Sequence, residues 1–136
     1  MMNRKFLLPL LIIIFVPILF LLGGCCASER TVTTYEVISQ EEALSYMVND
    51  NNSIILDVRT EEDFSSGHIK GAILIPYDEI ETKCDSILTD KERLILVYCR
   101  SGRRSKIAAE KLVELGYSNV KEFGGIIDWN YEIVTE

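Results

Sequence analysis

Histidine, tryptophan, proline and cysteine are all scarce in this chain of 136 residues: one, one, three and four copies. Four cysteines are too few for a disulfide framework, and none falls at metal-ligand spacing. No metal site and no cofactor are therefore expected. Positive charge is also short, with 14 basic residues against 21 acidic ones and a net charge of −7. That balance argues against nucleic acid as a partner and against electrostatic adhesion to anionic lipid. No internal repeat or low-complexity segment is present. A length of 136 residues suits one domain.

One long apolar run does exist. Leu7 to Leu22 is almost wholly apolar, with Arg4 and Lys5 before it and Gly23-Gly24-Cys25 after it. A basic start, an apolar stretch and small residues before a cut describe a secretory signal. The run holds 16 residues, short of the roughly 20 that a spanning helix needs, and Pro9 and Pro17 interrupt it. Leu22-Gly23-Gly24-Cys25 resembles the lipobox of bacterial lipoprotein signal peptides, in which the cysteine is acylated and becomes the first mature residue. The resemblance implies a signal peptide over 1–24, lipidation at Cys25 and a lipid-anchored polar tether over 25–33. The domain would then sit on the extracytoplasmic face of the cell membrane, in a periplasm or at the cell surface. An uncleaved N-terminal anchor is the competing reading. Cleavage leaves 12 basic against 21 acidic residues, a net of −9.

Beyond residue 33, strand and helix patterns alternate. Tyr35 to Ile38 reads as a short strand. Ser39-Gln40-Glu41-Glu42 has the form of a capping box before Ala43, Leu44, Met47 and Val48 at helical spacing. Ile54 to Leu56 is a buried-type strand ending at Asp57-Val58-Arg59. Thr60 to Asp63 starts a short helix anchored by Phe64, and Gly67-His68-Ile69-Lys70-Gly71 is a turn-rich link. Ala72 to Ile75 is a strand closed by Pro76. Asp78 to Leu88 is helical, with Ile80, Ile87 and Leu88 as core candidates. Leu94 to Tyr98 is the central strand, Ser105 to Leu115 a helix stopped by Gly116, and Val120 to Phe123 the last strand. Gly124-Gly125 turns into a short helix carrying Trp129. Alternation of this kind predicts an open, mostly parallel sheet of the α/β class, with helices on both faces. Ligands in such sheets sit at the carboxyl ends of the strands.

Cys99 stands at such an end, in the segment Cys99-Arg100-Ser101-Gly102-Arg103-Arg104-Ser105. A cysteine after a core strand and before a helix is placed for thiolate formation. Successive backbone N–H groups form an anion-holding nest, and three arginines concentrate positive charge on an acidic protein. Arg100, Ser101, Gly102, Arg103, Arg104 and Ser105 are thus the candidate substrate-binding residues. Arg100 and Arg104 lead among the arginines. His68 reads as architecture, Asp57 and Arg59 as a structural polar pair, with Glu62 or Asp63 as further partners for Arg59. Trp129 and Met47 read as core. Cys84 is an inert packed thiol or a disulfide partner of Cys99, and both readings stay open.

The stretch from about Tyr35 to Trp129 resembles the rhodanese (sulfurtransferase) family. The resemblance is carried by Asp57-Val58-Arg59 after a strand, Glu62 and Phe64 before Gly67 to Ala72, Pro76, the Cys99 loop, and Gly124-Gly125 with Trp129. It implies a rhodanese-like domain over 34–136 with a mostly parallel five-stranded sheet. It also implies a persulfide relay: Cys99 takes a sulfane sulfur from a small anionic donor such as thiosulfate and passes it to a thiol or cyanide. A monomer is expected. Two rivals remain. A cysteine phosphatase or arsenate reductase on this fold needs an arginine six residues after the cysteine, where Ser105 stands instead. A non-catalytic lipid-tethered module of this family usually lacks the cysteine.

Overall fold

Strand β5 (Ile95–Cys99) is buried along its whole length and forms the middle of a five-stranded sheet. Both faces of such a strand need apolar side chains, and Ile95, Leu96, Val97 and Tyr98 supply them. On one side β5 pairs with β2 (Ile54–Asp57), which pairs with β4 (Ile73–Leu74). On the other it pairs with β6 (Val120–Gly125), which pairs with β1 (Glu36–Val37). The order is β1-β6-β5-β2-β4, and every pairing in it is parallel. The computed structural model describes residues 34–135, within a unit spanning Thr31–Glu136. The expected signal peptide 1–24, the lipidation site Cys25 and the tether 25–33 lie outside the described residues.

Helices cover the two faces. Helix α1 (Gln40–Asn49) starts as expected, with the Ser39 hydroxyl accepting from the Glu42 N–H at 3.1 Å. It packs Ala43, Leu44 and Met47 against Leu96, Tyr98, Phe123 and Trp129. The opposite core joins Val97, Cys99 and Val120 to α3 (Ile80–Ile87) and α4 (Arg103–Glu114), through Ile80, Cys84, Ala108, Ala109 and Leu112. Each fully buried leucine or isoleucine here stabilises the fold by about 1.5–3 kcal/mol. Helix α4 ends in two paired turns: Gly116 N–H donates to the Val113 carbonyl and Tyr117 N–H to that of Leu112, both at 3.0 Å.

Several local expectations need correction. Val48 is 69% exposed, because at 3.6 residues per turn it lies well round the helix from Ala43 and Met47. Ile87 is exposed as well; the buried row of α3 is Ile80, Cys84 and Leu88, spaced four apart. The expected link Gly67 to Gly71 contains a two-residue strand, β3 (His68–Ile69). It pairs antiparallel with β7 (Ile133–Val134), near the C-terminus, where no strand was expected. The expected short helix carrying Trp129 is a single 3-10 turn, Ile126–Asp128, and Trp129 lies just beyond it as its cap. Between β2 and β3, α2 (Glu61–Ser66) starts at Thr60, whose hydroxyl accepts from the Asp63 N–H.

Tyr35 and Thr34, just before β1, border a shallow cavity with Glu110, Val113 and Glu114 of α4. The chain therefore enters the sheet beside the C-terminal end of α4.

Candidate active site

Cys99 is the last residue of β5, and its side chain is 1% exposed. Helix α4 begins at Arg103, two residues earlier than its apolar pattern suggests. The loop proper is therefore only Arg100, Ser101 and Gly102. Gly102 turns the chain at φ +95°, a left-handed conformation that a side chain disfavours. That turn aims the free N–H groups of the first helical turn back at the sulfur. The Gly102 N–H donates to Cys99 Sγ at 3.1 Å. Burial pushes the thiol up, but hydrogen bonds from the Ser105 hydroxyl and from the Ser105, Gly102 and Ser101 N–H groups outweigh it. The net effect holds Cys99 below the ordinary thiol range.

The loop is pinned from behind by β6. Gly125 lies opposite Cys99, and a Cβ there would come within 2.6 Å of Ser101 Cα and closer still to the Arg100 carbonyl oxygen. Only glycine permits this approach. The Ile127 N–H donates to that same Arg100 carbonyl at 3.2 Å.

The candidate residues divide by exposure. Arg100, Ser101 and Arg103 are exposed, Gly102 and Ser105 are buried, and Arg104 is half-buried. Arg104 Nη2 lies 3.5 Å from Asp63 Oδ2, so this arginine is turned toward α2. Among the described residues, Arg100 and Arg103 take part in no ion pair. Ser105 sends its hydroxyl inward, 2.6 Å from Glu122 Oε1 and 3.0 Å from the Gly102 carbonyl. Cys84 and Cys99 are both free thiols, which answers the question of a disulfide between them.

The supporting residues behave as architecture. His68 stacks on Phe64 with ring centroids 3.7 Å apart, and its Nδ1 lies 2.9 Å from the Phe64 carbonyl oxygen. Asp57 and Arg59 form a buried pair at 2.6 Å, and Arg59 also donates to the Gly67 carbonyl at 2.7 Å. The direct partner of Arg59 is Asp57, not Glu62 or Asp63. Trp129 and Met47 lie in or against the α1-side core. Glu122 escaped the sequence reading. It occupies a strand position that normally takes an apolar residue, yet is 1% exposed. A carboxylate inside the apolar pattern Val120-Lys121-Glu122-Phe123 was the available signal.

A thiol at the carboxyl end of a parallel strand, facing N–H groups from a helix start, is the geometry by which an α/β protein stabilises a thiolate. The chain belongs to the rhodanese-like domain family, which it matches over residues 39–132. It is 40% identical over 73 residues to the thiosulfate sulfurtransferase PspE of Escherichia coli (strain K12), covering 54% of this chain and 70% of that protein. It is 37% identical over 90 residues to a sulfurtransferase of Allochromatium vinosum, covering 65% of this chain and 82% of the relative. A solved structure of a rhodanese with anions from E. coli superposes with a TM-score of 0.58 at 36% identity, covering 62% of this chain and 99% of that one. Longer relatives are matched over 27% and 24% of their length. The five-stranded parallel sheet with helices on both faces agrees with this membership.

Proposed function

We propose that this protein is a sulfurtransferase that moves a sulfane sulfur through a persulfide on Cys99. The observation that carries the reading is the convergence of N–H groups and the Ser105 hydroxyl on a sulfur held below its ordinary range. In the first step the Cys99 thiolate attacks the outer sulfur of thiosulfate. The donor's S–S bond breaks, and sulfite leaves with its electron pair. In the second step cyanide or a thiolate attacks the outer sulfur of Cys99–S–S⁻. The Cys99–sulfur bond breaks, and the thiolate returns as the leaving group. Charge and electrons balance without an oxidant. The loop N–H groups stabilise the anion on sulfur at both stages.

The donor's sulfonate oxygens suit guanidinium groups. Arg100 and Arg103 are free to take them, whereas Arg104 is engaged with Asp63. The test is thiocyanate formation from thiosulfate and cyanide, with intact mass after thiosulfate alone. Wild type should gain one sulfur, about 32 Da, on the Cys99 peptide, as expected of an activated thiolate. Cys99→Ser should gain none and form no thiocyanate, and Arg100→Ala should raise KM more than Arg104→Ala. Inertness of the wild type toward both thiosulfate and polysulfide defeats the reading, and turnover of para-nitrophenyl phosphate instead would establish the phosphatase alternative.

The lipid anchor is proposed on the sequence pattern alone: Cys25 acylated, residues 1–24 removed, and the domain held at the outer face of the cell membrane. Mass analysis of the N-terminal tryptic peptide tests it, and recovery of an intact Met1 start rules it out.

A further inference from the structure

Glu122 is a carboxylate without a cation. It is 1% exposed and, among the described residues, enters no ion pair. A buried charge is costly unless donors satisfy it. Two do so here: the Gly124 N–H at 2.9 Å and the Ser105 hydroxyl at 2.6 Å, both on Oε1. The backbone is bent to make this arrangement. Val97 pairs with Glu122 but Cys99 pairs with Gly125, so β6 carries one residue more than β5 between the two pairs. Such a bulge redirects a side chain. Glu122 itself, ahead of the bulge and in register with Val97, lies on the face of the sheet that carries Cys99 and α4, and the bulged Gly124 turns its N–H back onto the carboxylate.

The acceptor arithmetic at Ser105 is tight. A serine hydroxyl has one proton to donate. Four acceptors surround it: Cys99 Sγ, the Gly102 carbonyl at 3.0 Å, the Gly124 carbonyl at 3.4 Å and the Glu122 carboxylate at 2.6 Å. The carboxylate contact is the shortest and is charge-assisted, so it draws that proton most strongly.

We propose that Glu122 is a positioning residue for Cys99: its carboxylate competes for the Ser105 proton and so weakens the hydrogen bond that the Ser105 hydroxyl makes to the sulfur. The purpose follows from the chemistry. A transfer cysteine must attack a donor sulfur and then leave from its own persulfide. A thiolate stabilised too far becomes a poor nucleophile, because nucleophilicity falls as the thiol grows more acidic. Glu122 trims the stabilisation supplied by the N–H groups. This inference rests on Cys99 as the nucleophile, but its test does not require sulfur transfer.

Other charged or titratable groups face this site from each packed element. Cys99 comes from β5, Tyr35 from the approach to β1, Lys106 from α4 and Asp128 from the 3-10 turn. Lys106 and Asp128 share with Glu122 the lining of a cavity of about 350 Å³ behind the loop. Their charges stay in place in the variants below.

The experiment is the pH profile of Cys99 alkylation by iodoacetamide. It is run on the wild type, Glu122→Gln, Glu122→Asp, Ser105→Ala and the Glu122→Gln/Ser105→Ala double variant. Glu122→Gln should lower the midpoint by about one pH unit, a tenfold gain in thiolate below both midpoints. Glu122→Asp keeps the charge but shortens the reach to Ser105, and should lower the midpoint as well. In the Ser105→Ala background, Glu122→Gln should produce less than half its usual shift. An unmoved midpoint in both Glu122 variants overturns the proposal. So does an equal shift with and without Ser105, because that is plain charge repulsion. Should Glu122→Gln fail to fold, Glu122→Asp decides the matter alone. Failure of sulfur transfer in the wild type would leave these profiles standing, so the two readings fall separately.

Discussion

Replacing Gly125 by alanine should damage the fold and the thiolate together. The added Cβ stands 2.6 Å from Ser101 Cα, where ordinary contact begins at 3.4 Å. The obstruction is backbone on both sides, so no side chain can rotate away. The loop has to retreat by close to an ångström. Overpacking of this kind costs about 1–3 kcal/mol, and rigid backbone on both sides places it at the upper end. The same retreat carries the Gly102 N–H, now 3.1 Å from Sγ, out of hydrogen-bonding range. A hydrogen bond to a charged group is worth about 1.5–3 kcal/mol. At about 1.4 kcal/mol per pH unit, its loss raises the Cys99 midpoint by about one to two units. Urea unfolding and the alkylation profile measure the two effects. Gly71→Ala is the control: unlike Gly125, which is extended at φ −129°, Gly71 sits at positive φ, +82°, and has no atom within 4 Å of the new Cβ. It should cost about 1–2 kcal/mol in backbone strain and leave the midpoint alone. The reasoning is refuted if Gly125→Ala matches wild type in both measurements, or if Gly71→Ala moves the midpoint as far.

Two further outcomes follow from other parts of the molecule. Asp57→Asn breaks a pair whose side chains are 0% and 6% exposed, so it should cost about 3–5 kcal/mol. Glu79→Gln, which breaks the half-exposed pair with Lys83, should cost no more than about 1 kcal/mol in the same urea titration, and equal costs would contradict the burial argument. The depressed Cys99 thiol also links stability to pH. Its stabilising contribution is complete above the ordinary thiol value of about 8.5 and is lost as pH falls through the lower, folded value. The stability of wild type relative to Cys99→Ser should therefore rise with pH across that window. A difference that stays flat contradicts a depressed folded value.

The parts of this fold that could be read from residues are those set by local chemistry. Ser39 with Glu42, Thr60, Gly116 and the apolar run into Cys99 each act within a few positions, and each marks its element where the structure has it. Asp57 and Arg59, two residues apart, were legible as a pair for the same reason. The misses are non-local. Strand β3 exists because β7, some sixty residues later, pairs with it, and nothing in Gly67 to Gly71 announces that partner. Arg104 shares the lead among the arginine candidates with Arg100 by its place in the loop. Its turn toward Asp63 depends on where α2 packs. Glu122 showed in the residues only as a carboxylate in a strand pattern; its partner depends on where α4 sets Ser105 against β6. The start of α4 was set two residues late because Arg103 and Arg104 look like loop residues by polarity. Their backbone is helical, and that is what makes the N–H cradle so short.

Strand β1 runs in the same direction as β5, so the chain enters at the amino ends of the strands, opposite the carboxyl end where Cys99 sits. Thr34 borders the closing residues of α4, while the sulfur faces its opening turn. Twelve residues at 1.5 Å each place these two points about 18 Å apart. The entry of the chain into the sheet and the mouth of the thiol thus lie at opposite ends of a single helix, and a change at one need not disturb the other.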